Sequence, residues 1–146
     1  MVWPMIRGPR IIGHVVVRNE LSRYLPRFRA QLHELTDGCI VAYDDRSTDA
    51  TYEYLCTWGV PTKRRPDDVP SFAADESAFR AAAWAYMEQE AEPTTNDWIL
   101  CLDADARLEI EPGASLRTLL ENTPDDVLAY NVNVVSKYDE GVYSAG

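Results

Sequence analysis

Three short polar segments each follow an apolar run: Arg18-Asn19-Glu20, Asp44-Asp45 and Asp103-Ala104-Asp105. Carboxylates gathered at one crevice repel one another unless a proton, an Arg or Lys, or a bound cation intervenes, and an all-oxygen ligand set favours hard ions such as Mg²⁺ or Mn²⁺. On an extended strand end, residues one apart point the same way. Asp103 and Asp105 could therefore both face a metal-bound diphosphate, with the small Ala104 leaving the approach open. Each segment also has a plainer reading. Asp commonly closes the turn after a buried strand; Asp44–Asp49 reads equally as a turn leading into a helix N-cap; Arg18 and Glu20 could form a surface ion pair around a turn residue, Asn19. Arg80 is either an exposed helix residue or a second contact for an anion.

The remaining reactive residue types carry less. His14 sits inside an apolar run, where a lone histidine is more often packed with one hydrogen bond than a catalytic base. His33 falls on a helix surface. Trp3, Trp58, Trp84 and Trp98 read mostly as core or interface rather than as a sugar-stacking platform. Cys39, Cys56 and Cys101 form an odd set without C-x-x-C spacing, which favours buried reduced thiols.

The elements that must position these groups alternate along the chain. Ile11–Val17, Cys39–Tyr43 and Trp98–Leu102 are short, nearly continuous apolar runs, the pattern of central strands covered on both faces in a parallel sheet. Between the first two, Leu21, Tyr24, Leu25, Phe28, Leu32 and Leu35 recur at helical spacing, with Arg23, Arg27, Arg29 and Glu34 on other faces; Pro26 must lie in the first turn. Ser47, Thr48 and Asp49 are candidate N-caps for a short helix carrying Tyr52, Leu55 and Cys56 and stopped by Gly59. A third helix spans about Asp75–Glu90, with Phe79, Ala83, Tyr86 and Met87 on one stripe, and ends at Pro93. Lys63–Arg65 ends a peripheral strand in solvent. Pro112-Gly113 precedes a weaker helix around Leu116–Glu121, and Tyr130, Val132 and Val134 alternate with Asn131 and Asn133 in an expected strand Val127–Val135.

This order predicts an α/β fold: an open, Rossmann-like, mainly parallel sheet with right-handed crossovers and helices on both faces. Ligands in such sheets bind beyond the carboxyl ends of the strands, where at least four of the aspartates would meet.

With 146 residues, 46% of them hydrophobic, the chain supplies one core and one domain, 1–146. No run of about 18 apolar residues exists and the first 13 residues lack a secretory pattern, so a soluble, cytoplasmic protein is expected. The formal charge of −10 argues against nucleic acid as a partner, since phosphate backbones are held mainly by Lys and Arg. An anionic ligand would need a local Arg or a metal.

VVVRNELSRYLPRF, IVAYDDRSTDATYEYL and DWILCLDADARLE together resemble the successive motifs of family 2-like glycosyltransferases of the GT-A fold, over residues 11–109. The resemblance implies that Val17, Arg18, Asn19 and Glu20 border a nucleotide, that Asp44 or Asp45 contacts the base, and that Arg80, led into by Asp75 and Glu76, lies near the diphosphate. It implies that Asp103, with Ala104 beside it, faces the ribose or metal shell, and that Asp105 is the direct ligand of Mn²⁺ or Mg²⁺. The implied reaction moves a sugar from a nucleoside-diphosphate sugar to an acceptor hydroxyl, on a glycan, lipid or protein, with inversion. The general base is not identifiable. Ala106 stands where many relatives have Glu, and the acceptor half is short or missing, so a partner chain could supply it. The alternative is a nucleotide-sugar- and metal-binding module without transfer activity of its own. A haloacid-dehalogenase-like phosphatase would want Gly and Thr after the second Asp, where Ala106-Arg107-Leu108 stand. A nucleotidyltransferase would want a Gly-rich basic loop in place of Arg18-Asn19-Glu20.

Overall fold

The computed structural model describes residues 9–22, 24–109, 115–131, 135–138 and 141–144. Trp3, Arg23, Pro112, Gly113, Val132 and Val134 lie outside them. Strand β1 (Ile11–Val17) leads to helix α1 (Leu25–Leu35), then β2 (Gly38–Asp44), α2 (Thr51–Cys56), β3 (Thr62–Arg64), α3 (Glu76–Ala91), β4 (Trp98–Cys101), α4 (Leu116–Glu121) and the strands β5 (Val135–Tyr138) and β6 (Gly141–Ser144). The first four strands form one sheet in the order β3-β2-β1-β4, and every pairing is parallel. This is the open α/β sheet expected. The order reverses at β1, between β2 and β4, and the crevice at such a reversal is where these sheets hold ligands.

Two apolar layers sandwich the sheet. Val15, Val17, Cys39 and Ala42 pack with Leu25, Phe28 and Leu32 of α1 and Leu55 of α2 on one face; Ile12, Ile40, Val41 and Tyr43 pack with Phe79, Ala83, Met87 and Ala91 of α3 on the other. Neither strand alternates in polarity because both faces are covered. Gly13 permits the close approach of α1: a Cβ there would meet Leu32 Cδ2 at 3.3 Å. Pro26 occupies the first turn of α1, where its missing N–H costs nothing.

Several expectations are corrected. Trp98–Leu102 is not central: among the described residues β4 is an edge strand, with its side chains half-buried or exposed. Cys101 is exposed for that reason, and so is Cys56; only Cys39 is a buried thiol, and all three are free. Residues 127–131 of the expected strand are not extended into a ladder, Val132, Asn133 and Val134 lie outside the described residues, and Val135 begins β5, which pairs antiparallel with β6. Leu21 and Tyr24 precede α1 rather than lying in it. The N-cap position of α2 is Ala50, without a side-chain cap bond, while Asp49 Oδ1 accepts from the backbone N of Thr51, the first helical residue, and Ser47 is turned to Asp44. Asp75 caps α3 through Ala78 N, and Glu92 takes the left-handed conformation just before Pro93. No helix among the described residues is long and apolar enough to cross a membrane.

His14 is packed, as expected, but its Nδ1 is buried without a hydrogen-bond partner, and its ring meets Trp84 edge-on at 5.6 Å. Trp84 itself is 40% exposed, so it is not core. Burial, seconded by the positive charge of Arg80, lowers the His14 pKa to about 4. The unfolded chain then binds a proton more readily than the folded one, so stability is full above about pH 6.5 and falls as pH drops toward 4. The loss cannot exceed ~3 kcal/mol over that window, at about 1.4 kcal/mol per pH unit. His14→Leu is expected to flatten this part of the profile, so that urea midpoints of variant and parent diverge between pH 7 and pH 4.5; parallel profiles would show that His14 is not the titrating group.

Candidate functional site

The loops at the carboxyl edge are fastened together by a hydrogen-bond network drawn from the D-D-x-S-x-D-x-T string. Asp44 Oδ1 accepts from Ser47 N at 2.8 Å and from Ser47 Oγ at 2.7 Å. Asn19 Oδ1 accepts from Thr48 N at 2.8 Å, and Asn19 N donates to Ser47 Oγ at 3.0 Å. Thr51 Oγ1 accepts from Glu20 N and Leu21 N, and its hydroxyl donates to Asp49 Oδ1. Asn19 and Arg46 both adopt φ near +50°, a conformation Asn tolerates better than most residues. These bonds bind the β1 loop to the β2 loop and fix the shape of the edge.

A cleft of about 250 Å³ opens there, lined by Val17, Arg18, Glu20, Asp45, Arg80, Asp103, Ala104 and Asp105, together with Val16, Phe72 and Ala73. Eight of the ten residues singled out from sequence thus share one cavity. Asn19 and Asp44 are not among its lining residues; both are spent on the loop network. The expected meeting of four aspartates is therefore corrected to three, with Glu20 beside them. Asp44 is fully buried, its Oδ2 lacks a hydrogen bond, and burial raises its pKa against the opposing pull of the Ser47 bonds.

Asp45 is 3% exposed and fully engaged. Its Oδ1 accepts from Arg65 Nε at 2.7 Å and its Oδ2 from the backbone N of Phe72 at 3.1 Å. Arg65 donates onward to Val69 O, and Arg46 Nε donates to Arg65 O while its guanidinium pairs with Asp67. The segment from 65 to 73 is cinched against the cleft in this way. Arg18 is exposed and has no hydrogen bond or ion pair among the described residues.

The Asp-Ala-Asp segment differs from expectation in its backbone. It does not continue β4 but forms a turn, closed by Ala106 N donating to Asp103 O at 2.9 Å. Asp103 and Asp105 are exposed, whereas Ala104 is buried in the core with Val15 and Val17. The alanine is thus an anchor: its methyl pins the turn while the flanking carboxylates stay in solvent. Gln31 of α1 clamps the next residues, donating from Nε2 to Ala106 O at 3.1 Å and accepting from Leu108 N at 2.7 Å. Nothing local marks a helical glutamine 75 positions away as a brace for this turn. Gln31→Ala is expected to cost about 1–2 kcal/mol of stability by leaving two half-buried backbone groups unpaired. Urea denaturation checks it, and an unchanged midpoint would show that the turn holds without the brace.

Among the described residues no group of three or more His, Cys, Asp or Glu side chains could hold a metal alone. Two exposed carboxylates on one turn suit Mg²⁺ or Mn²⁺ only where phosphate oxygens and water complete the shell. A second cleft, about 480 Å³, lies at the amino edge of the sheet against Asp97, Trp98, Leu120 and Leu128. It contains none of the strand-end carboxylates, and its Asp97 is paired with Arg10 at 2.6 Å.

No family model and no solved structure matches the chain. An uncharacterized protein of Mycobacterium tuberculosis is 34% identical to it over 108 residues, which is 71% of this chain and 25% of that protein. An uncharacterized protein of Mycobacterium bovis matches with the same identity and coverage. The chain thus spans about a quarter of the length of the curated relatives it matches.

Proposed function

We propose that this chain is the donor-binding part of a metal-dependent glycosyltransferase, holding a nucleoside-diphosphate sugar in the cleft beyond β1, β2 and β4. The observation that carries the reading is the convergence on one cavity of Arg18, Glu20, Asp45, Arg80, Asp103 and Asp105, drawn from four separate stretches of sequence. Asp103 and Asp105 would hold Mn²⁺ or Mg²⁺ through carboxylate oxygens, the diphosphate completing the shell. A bound divalent ion supplies charge neutralisation to the departing nucleoside diphosphate. Arg18 and Arg80 add guanidinium donors, which suit phosphate oxygens through paired hydrogen bonds. Asp45 lines the cleft with its two oxygens directed by Arg65 and Phe72 N, and would be the aspartate that meets the base. The acceptor hydroxyl would attack the anomeric carbon as the bond to the diphosphate oxygen breaks. Removal of the hydroxyl proton needs a general base beside the acceptor.

The second reading is a donor-binding module that takes up the nucleotide sugar and the metal ion without transfer. Incubating the chain with UDP- and GDP-sugars, Mn²⁺ and a panel of hydroxyl acceptors separates the two. Acceptor-dependent release of nucleoside diphosphate supports the transferase; retention of intact donor supports the module. Absence of donor binding removes both.

A further inference from the structure

Arg80 is held on two of its three sides. Its Nε donates to Glu76 Oε1 at 2.9 Å, one helical turn back on α3. Its guanidinium carbon lies 5.1 Å from the ring centroid of Phe72, within cation–π range. The two terminal Nη groups make no hydrogen bond among the described residues, and Arg80 lines the cleft. An arginine whose face and inner edge are both engaged keeps its outer edge free for paired donation to an anion, with less side-chain freedom to lose on binding.

Phe72 is itself fixed. Its backbone N is bonded to Asp45 Oδ2 at 3.1 Å, and its ring meets the buried Phe79 edge-on at 5.8 Å. Phe72 remains 37% exposed, and it lines the same cleft. A contact path therefore runs from Arg65 through Asp45 and Phe72 to Arg80.

We propose that Phe72 is a positioning residue that, with Glu76, presents the free edge of Arg80 to a diphosphate in the cleft. The inference rests on the donor-site reading for the identity of its ligand, but not for its geometry. Phe72 acts through Arg80 and touches no phosphate itself. Its removal should therefore weaken ligands in proportion to their phosphates and leave the nucleoside untouched.

The test is a double-variant cycle with Phe72→Ala, Arg80→Ala and the pair, titrated with UDP, GDP, the matching monophosphates and inorganic pyrophosphate, in Mn²⁺. Phe72→Ala is expected to lower diphosphate affinity about three- to fivefold, Arg80→Ala about tenfold or more, and the pair no further than Arg80→Ala alone. Phe72→Trp, which keeps an aromatic face, should restore most of the loss. Far-ultraviolet circular dichroism and melting report whether each variant is folded; if Phe72→Ala does not fold, the Phe72→Leu and Phe72→Trp comparison carries the same contrast.

Additive losses, or equal losses for monophosphate and diphosphate, would overturn the positioning role while leaving the donor site standing. Pyrophosphate binding that depends on Phe72 and Arg80, without any added affinity for nucleotides, would keep the positioning role and remove the nucleotide reading. No binding of any phosphate to the parent chain would remove both.

Discussion

Asp105→Asn is expected to reduce Mn²⁺-dependent affinity for a nucleoside diphosphate by about 100-fold while leaving the melting temperature within a degree or two. Removing even an outer-shell partner of a metal commonly costs about 10–100-fold, and a direct ligand in a two-carboxylate site should cost at least the upper end. The small stability effect follows from exposure: Asp105 stands in solvent on a turn whose anchor is the buried methyl of Ala104 and whose brace is Gln31. Surface substitutions of that kind usually change stability by less than about 0.5 kcal/mol. Mn²⁺ electron paramagnetic resonance and calorimetry on the same samples read the two quantities separately. Retained affinity in the variant would mean that the Asp-Ala-Asp turn is a structural strand end and nothing more.

The largest stability effect is expected from Arg65→Leu. The Arg65–Asp45 pair is 2.7 Å long, with side-chain exposures of 17% and 1%, so loss of the guanidinium strands a buried carboxylate. Breaking a buried pair from one side typically costs about 3–5 kcal/mol, a large share of the ~5–15 kcal/mol that holds a domain folded. Asp45→Asn in the same chain should recover part of that loss, because the neutral amide no longer needs a counter-charge and its oxygen can still accept from Phe72 N. Urea midpoints of the two single variants and the double variant measure this directly. If Arg65→Leu cost less than about 1 kcal/mol, the pair would be acting as a solvent-screened one.

The sheet was legible because its strongest signals are local. Ile11–Val17 and Cys39–Tyr43 are apolar on both faces, and Phe79, Ala83 and Met87 recur at helical spacing, so burial of both sheet faces could be read from periodicity. The position of β4 was not readable. Trp98-Ile99-Leu100-Cys101 is as apolar as a central strand, and only the pairing order puts it at an edge. The same limit governs the site. That polar strand ends would converge followed from the parallel order, but the division of labour between Asp44 and Asp45 did not. Adjacent residues on a strand end face opposite sides, and nothing in the letters says which side is the cleft. Asp44 turned inward to Ser47, and Asp45 outward to the cavity. Arg65, expected to end a strand in solvent, instead follows β3 and pairs with the buried Asp45, and Gln31 and Phe72 carried no signal at all, because each of the three hydrogen-bonds a partner 20 or more positions away and leaves no short-range pattern.

The most direct test is a calorimetric titration of the parent chain with UDP and with GDP, in Mn²⁺ and again in EDTA. Saturable one-to-one binding of at least one of them is expected in Mn²⁺, weakened by at least about tenfold in EDTA, since phosphate oxygens would complete the metal shell. Affinity that is unchanged by EDTA, or no binding of either nucleotide, would contradict it and leave the cleft without the metal-diphosphate chemistry assigned to Asp103 and Asp105.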